Sequence, residues 1–236
     1  MFNMNAFKNQ TSSDTPPSKS DLTRAKILQE ALTLFREKGF DATTMRDIAT
    51  TCDMAVGTAY HHFESKEAIV GAYYTWVQTE HLRQVSEFNQ SKHSLKQRLE
   101  QAFQSKLEIV AGDQKLLGVI MRYIGEAEHP LSIFGAKTKD LRDEGLRIFK
   151  IALGDEAMPA DLRELAPPIF WTLHMGMLLY FLHDTTQGER TSKLGKSALE
   201  LILQVFGMVG SPLVQPLIKP VLGKVKKLVK TYDLMD

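Results

Sequence analysis

At 236 residues the chain is long enough to bury a sizeable core, as one large domain or two small ones. With 43% hydrophobic residues, 24% charged residues and a net charge of +1, it is neither a disordered chain nor a polycation that coats nucleic acid by bulk attraction. Its single cysteine excludes an intramolecular disulfide framework and fits a reducing interior.

The first stretch is polar and rich in Ser, Thr and Pro, with no apolar signal core, and reads as a disordered arm over 1–20. Asp21 is expected to start a helix running to Lys38, with Ile27, Leu28, Ala31, Leu32, Leu34 and Phe35 as its inner stripe. Arg24, Lys26, Arg36 and Lys38 would stud the outer face, and Gly39 would stop the helix in a left-handed conformation. From Thr44 to Lys66 the chain reads TMRDIATTCDMAVGTAYHHFESK, two short helices joined by a tight turn. Thr43 or Thr44 caps the first, and Met45, Ile48 and Ala49 share its inner face. Cys52 in the turn reads as a small buried residue in preference to a redox sensor. In the second helix Val56, Ala59 or Tyr60, and Phe63 are spaced to pack inward, while Thr58, His61 and the Tyr60 hydroxyl point outward. A short helix laid across another, with polar tips on its free face, has the shape that enters a major groove. Residues 1–80 hold eight basic and ten acidic side chains, so DNA affinity would come from local placement of charge.

The run GTAYHHF followed by ESK resembles the signature of the TetR family of bacterial transcriptional regulators. The resemblance rests also on Gly39-Phe40, Thr43-Thr44, Ile48-Ala49, Gly57-Thr58, Tyr60, His62-Phe63 and Lys66, and it covers roughly the first third of the chain. It implies a helix-turn-helix DNA-binding domain over 21–66. There Thr44 would bond a phosphate at a helix N-terminus, and Arg46 would read guanine O6 and N7. Gly57 would let backbone approach the duplex, and Thr58 would contact a base, a thymine methyl or a phosphate. Tyr60 and His62 resemble the family's phosphate-contacting pair, His61 would read a base, and Lys66 would clamp a phosphate as a point charge. The adjacent His61 and His62 diverge by about 100° on a helix and cannot chelate one metal together. Two residues depart from the family pattern: Asp53 stands where Gly is common and Ala55 where Ser or Thr usually caps; Glu64, beside Lys66, places an acid near DNA. The missing cap is worth about 1 kcal/mol.

Ser65 is expected to cap the next helix, which runs to about Phe88. Ser94 and Gln97 form a capping box for a helix through Val110, with Leu95, Leu99, Ala102, Phe103, Leu107 and Val110 inward. Gln114–Ile124 and Lys137–Leu153 are helical, with an irregular stretch around Pro130 between them. Asp161 and Glu164 open a helix to about Asp184 that Pro167-Pro168 should interrupt or restart. Residues 166–183 lack acidic and lysine or arginine side chains, but the flanks show no strong basic bias. A buried helix, apolar around its circumference, explains them better than a membrane span. Thr191 or Ser192 begins a last bundle helix through Phe206. In the tail, 211–236, Val221, Leu222, Val225, Leu228 and Val229 alternate with Lys224, Lys226, Lys227 and Lys230, after a start disrupted by Pro216 and Pro220. This basic amphipathic helix either covers the bundle, the preferred reading, or docks on a membrane or partner protein. The fold class is all-α, an N-terminal three-helix head plus a C-terminal helical bundle, about nine or ten helices with no internal repeat.

The resemblance further implies that 67–210 is a ligand-binding and dimerisation domain, with Ala166–Asp184 and Ser192–Phe206 pairing in a homodimer. Two heads would then meet successive major grooves about 34–36 Å apart on a palindromic operator. Phe103, Leu107, Met121, Ile124, Phe149, Phe170, Trp171 and His174 are candidate lining for a small-molecule effector pocket, with plain core packing as the alternative. Trp171 and His174 share a face and suggest an apolar or aromatic ligand with one hydrogen-bonding group. Catalytic motifs are missing: no nucleophile elbow, no Walker loop, no H-E-x-x-H, no Cys-based metal spacing, and the seven histidines are scattered. The expectation is a cytoplasmic, ligand-responsive transcriptional regulator, most simply a repressor, without catalytic activity, cofactor or metal.

Overall fold

A computed structural model describes residues 18–89, 92–126, 128–211 and 213–231, with side chains of the last helix to 227. Among the described residues the chain forms ten α-helices and no strand. They are α1 (Lys19–Glu37), α2 (Met45–Thr51), α3 (Val56–His62), α4 (Lys66–Asn89) and α5 (Leu95–Ile109). There follow α6 (Gln114–Arg122), α7 (Lys139–Leu153), α8 (Ala160–Phe181), α9 (Glu189–Gly210) and α10 (Gln215–Thr231). The chain divides into two compact units, Met1–Glu80 with Ile109–Arg142, and His81–Glu108 with Asp143–Asp236. The division falls inside α4, and residues 109–142 group with the head, so the units do not follow a single boundary after residue 66. Most of the arm expected over 1–20 lies outside the described residues.

In the first unit α1 begins before Asp21, because Ser18 is its cap. The Ser18 hydroxyl accepts from the Asp21 N–H at 3.2 Å, and the Asp21 carboxylate accepts from the Ser18 N–H at 3.0 Å. The expected inner stripe is buried in full, together with Ala25. Gly39 ends the helix at φ +90°, a conformation costly for residues with a Cβ. Arg36 does not stand on an outer face: its Nε and Nη2 donate to Asp113 at 2.5 and 2.9 Å. The Tyr73 hydroxyl donates to the same carboxylate at 2.6 Å, and the Asp113 side chain is only 2% exposed. One carboxylate thereby joins α1, α4 and the start of α6. The hydrogen bond to Asp113 holds the Arg36 guanidinium above its ordinary range, while burial first, and then the neighbouring Asp113 charge, push the Tyr73 phenol up.

In the second unit the Ser94 and Gln97 box opens α5 as expected, with the two backbone contacts at 2.9 and 3.3 Å. Arg98 holds the far end of α7, donating to the Ala152 and Leu153 carbonyls at 2.8 and 3.1 Å. Two expectations for α8 fail. The helix is continuous through Pro167 and Pro168, held by burial of Leu165, Ala166, Pro167 and Phe170 along one face. Nor is it buried all round, since Ile169, Leu179 and Tyr180 are exposed. No single helix among the described residues is long and apolar enough to cross a membrane. The Asp184 carboxylate accepts from the Thr191 N–H and hydroxyl at 2.8 and 2.7 Å, ordering the turn from which α9 starts at Glu189, just before the expected Thr191. The tail helix also runs through its prolines, Pro216 and Pro220. Its Lys226 meets Asp161 at 3.1 Å and Glu164 at 2.5 Å on α8, as a helix covering the bundle would. The side chains of Leu228, Val229 and Lys230 lie outside the described residues.

Replacing Asp113 by Ala would leave the Arg36 guanidinium and the Tyr73 hydroxyl without their shared acceptor, a loss of about 3 kcal/mol. Thermal unfolding should therefore begin about 6–12 °C lower. A melting temperature within a degree of wild type would show that this bridge contributes nothing.

Candidate nucleic-acid interface and effector core

Thr44, and not Thr43, caps α2. Its hydroxyl accepts from the Asp47 N–H at 3.1 Å, and the Asp47 carboxylate accepts from the Thr44 N–H at 2.8 Å. Thr43 is buried and donates to the Gly39 carbonyl at 2.8 Å. The turn closes with Asp53 at φ +54°, where a short polar side chain substitutes for glycine. Cys52 is buried, and burial pushes its thiol up, away from the reactive thiolate. Ala55 offers no side-chain cap to α3.

The packing of α3 separates residues that the spacing left undecided. Ala59 and Phe63 are buried, whereas Val56 is 40% and Tyr60 51% exposed. Val56 and Tyr60 are therefore not core residues, and Ala59 is the buried residue of α3. Gly57, Thr58, Tyr60 and His61 form an exposed row, His62 is half-buried, and Thr44 and Arg46 are exposed on α2. The His61 and His62 rings lie 5.3 Å apart at 76°, diverging as helical neighbours do. Burial first, then the adjacent His61 and Arg24 charges, hold the His62 imidazole below its ordinary range.

Lys66 departs from the expected phosphate clamp. Its ammonium donates to the carbonyls of Phe40, Asp41 and Thr43 at 2.8, 3.3 and 3.1 Å and sits 4.4 Å over the Phe40 ring. An ammonium has only three protons, so this lysine ties the α1–α2 loop to the start of α4. Arg24 donates to the His62 carbonyl at 2.5 Å and covers the Phe63 ring at 3.9 Å. Lys26 reaches the Cys52 carbonyl at 2.8 Å. Sequence reasoning missed these roles, although a signal exists: α2 and α3 end without glycine, leaving terminal carbonyls in need of donors.

In the second unit, Phe103, Phe149, Phe170 and His174 gather, with ring centroids 5.3 to 6.3 Å apart. Leu107 is buried in the same unit and Trp171 is half-buried on α8. Met121 and Ile124 belong to the first unit. Two further residues lie beside it that the sequence did not single out, His81 and Lys106, both buried; Ser105 is buried on the same helix as Lys106. The His81 and His174 rings are 5.4 Å apart. His81 Nε2 lies 2.7 Å from the Ala102 carbonyl, so that nitrogen carries the proton. Among the described residues His81 Nδ1, Ser105 Oγ and His174 Nε2 have no hydrogen-bond partner. Lys106 was detectable as a charge on an apolar helix face, three residues after Phe103 and four before Val110.

Burial brings the Lys106 ammonium down to about 7, against a weaker opposing pull from Glu144. Burial and then the Lys106 charge take His174 to about 3. Above about pH 7 the folded chain holds Lys106 neutral while the unfolded chain still takes up a proton, up to the ordinary lysine value of 10.5. Stability should therefore rise with pH between about 7 and 9.5, and Lys106→Met should flatten the rise and raise the melting temperature at pH 7. A wild-type melting temperature that is flat over this range would contradict the assignment.

With the geometry in place, comparison with known proteins is informative. The family described as bacterial regulatory proteins, tetR family, matches residues 27–73. Over 61 residues the chain is 46% identical to the transcriptional repressor KstR2 of Rhodococcus jostii, spanning 24% of this chain and 30% of that protein. Over 59 residues it is 41% identical to the transcriptional regulator UidR of Escherichia coli K12, 25% of this chain and 30% of that one. The match thus spans less than a third of these relatives' length. Among solved structures, a TetR-family regulator from Pectobacterium atrosepticum superposes with a TM-score of 0.60 at 18% identity, covering 80% of this chain and 97% of that one. FadR of Bacillus subtilis, solved in complex with stearoyl-CoA, superposes with a TM-score of 0.55 at 19% identity, covering 75% and 95%. The helical architecture of TetR-family structures is shared along most of the chain, and the sequence likeness to the tetR family of bacterial regulatory proteins is confined to the head, residues 27–73.

Proposed function

We propose that the chain is a homodimeric, sequence-specific DNA-binding regulator of transcription, a repressor that a small apolar or aromatic effector releases from a palindromic operator in the cytoplasm. The observation that carries this reading is the exposed row Gly57, Thr58, Tyr60 and His61, held outward by buried Ala59 and Phe63 and flanked by exposed Thr44 and Arg46. Thr44 and Tyr60 would bond phosphates, with His62 beside them, while Arg46, Thr58 and His61 read base edges. Gly57 carries no Cβ to hold the duplex away. Lys66 acts through the loop that it fastens, because its protons are engaged by carbonyls.

The dimer reading draws support from α8 and α9. Ile169, Leu179 and Tyr180 on one helix and Leu194, Leu201, Val205 and Met208 on the other are large apolar side chains left exposed in the single chain. A second copy would bury them in a four-helix interface. The effector would shift the population toward a head separation that no longer matches the groove spacing. The Lys226 pairs with Asp161 and Glu164 favour a tail that covers the bundle over one that docks on a membrane or partner.

Fluorescence anisotropy against DNA flanking the chain's own coding sequence provides the test. Arg46→Ala should weaken binding about tenfold and relax base preference, while leaving the melting temperature unchanged. Lys66→Met should instead lower the melting temperature and keep the salt slope of wild type. Undiminished binding by the Arg46 variant would refute the assigned reading face, and a monomer in sedimentation velocity would refute the dimer.

A further inference from the structure

Three residues at the tip of α3, Ala55, Val56 and Gly57, are exposed side by side and serve no packing need of the fold. We infer, on the DNA-binding reading above, that Val56 packs against the C5-methyl group of a thymine. Each operator half-site then carries a thymine under the start of α3, a base and a reading residue that the roles given above do not include.

Helical spacing assigns Val56 to the inner face of α3, yet it is 40% exposed, and Ala59 and Phe63 are buried in its stead. Ala55 before it gives the helix no side-chain cap. Gly57 after it lies within α3, and a Cβ at that position would meet nothing within 4 Å. The fold therefore supplies no reason for glycine there, although glycine is less favourable than alanine in a helix. Single apolar residues are ordinary on a surface. Here, however, one stands beside a glycine that nothing inside the protein requires, at the end of the row that Thr58 and His61 continue. Both features suit a neighbour from outside that comes close: Gly57 keeps the surface low, and Val56 extends only two methyl groups above it.

The composition of the tip selects the base. From Met54 to Gly57 the chain carries no hydroxyl, amide, ring nitrogen or charge, and Thr58 is the first polar side chain of α3. Guanine, cytosine and adenine are told apart in the major groove by hydrogen-bond donors and acceptors. An isopropyl group cannot pair with those and would strip them of water at a cost. Thymine alone adds an apolar group to the groove, its C5-methyl. The N-terminal residues of a recognition helix are those that reach base edges, and helical side chains lean toward the N-terminus, so the first residue of α3 leads into the groove. A valine in a helix is also held to one strongly preferred rotamer, which lowers the entropy lost when its methyl groups meet a partner.

DNA enriched by the full chain from a random pool supplies the probe. Each thymine of one half-site is replaced in turn by deoxyuridine, which removes the C5-methyl and leaves every hydrogen-bonding group in place. At one thymine wild type should bind about fourfold more weakly, the worth of one buried methyl group. Val56→Ala should be indifferent to that replacement and keep the response to any thymine read by another residue, while Val56→Ile should respond as wild type does. Gly57→Ala should bind the enriched DNA more weakly with a melting temperature no lower than that of wild type. A half-site without thymine, a wild type indifferent to uracil at every position, an equal loss in Val56→Ala, or undiminished binding by Gly57→Ala overturns the thymine contact and leaves the DNA-binding reading standing. A pool that yields no enriched sequence overturns both.

Discussion

The head of this protein depends on cations turned inward onto its own backbone. Helix C-termini expose carbonyls that carry the negative end of the helix dipole, and in a head of three short helices those ends are close to every surface. Arg24 closes the end of α3, Lys26 the end of α2, and Lys66 the loop between α1 and α2. Each of these charges makes hydrogen bonds to acceptors that water would otherwise have to satisfy. The geometry of the exposed row on α3 follows from this, since α3 has only seven residues and no side-chain cap of its own. A helix so short is marginal in isolation, and its position is set by what holds its ends. On the proposed reading, little charge remains on the head to attract DNA, and sequences would be distinguished through a few directional contacts.

The two compact units use buried charge in opposite ways. In the first, Asp113 has its two oxygens occupied by Arg36 and Tyr73, a network complete enough to fix the helices that share it. In the second, Lys106 is fully buried and carries the cost of desolvation, which brings its ammonium down to about 7.

How much of this was readable in the sequence depended on how local the physics was. The periodic stripe of α1, a threonine cap at 43 or 44, the Ser94 capping box and the left-handed Gly39 are set within a few residues, and the structure has all of them, with Thr44 as the cap. The outward placement of Thr58 and His61 follows from helical spacing alone, but choosing between Ala59 and Tyr60 as the packing residue required the partner helix. The partners of Lys66, Lys26 and Arg36 lie 23 to 77 residues away in sequence, and no local pattern reports them. Pro167 and Pro168 misled because the cost of an interior proline is local, while the burial that offsets it is not. Of the proposed effector residues, those on α5, α7 and α8 converge, but Met121 and Ile124 fall in the other unit, since apolar composition does not specify which core a helix joins.

The salt dependence of operator affinity, measured on DNA selected by the protein from a random pool, tests the inward-cation account most directly. The side chains of Lys19 and Arg46, and of Lys38 just after α1, make no hydrogen bond or ion pair among the described residues. Two heads contacting phosphates through Lys19 and Lys38 alone, with Arg46 on base edges, should give a slope of log affinity against log salt of about −4. A slope near −10 or steeper would mean that Arg24, Lys26 and Lys66 also release counterions on binding, and that their carbonyl contacts do not hold the head together.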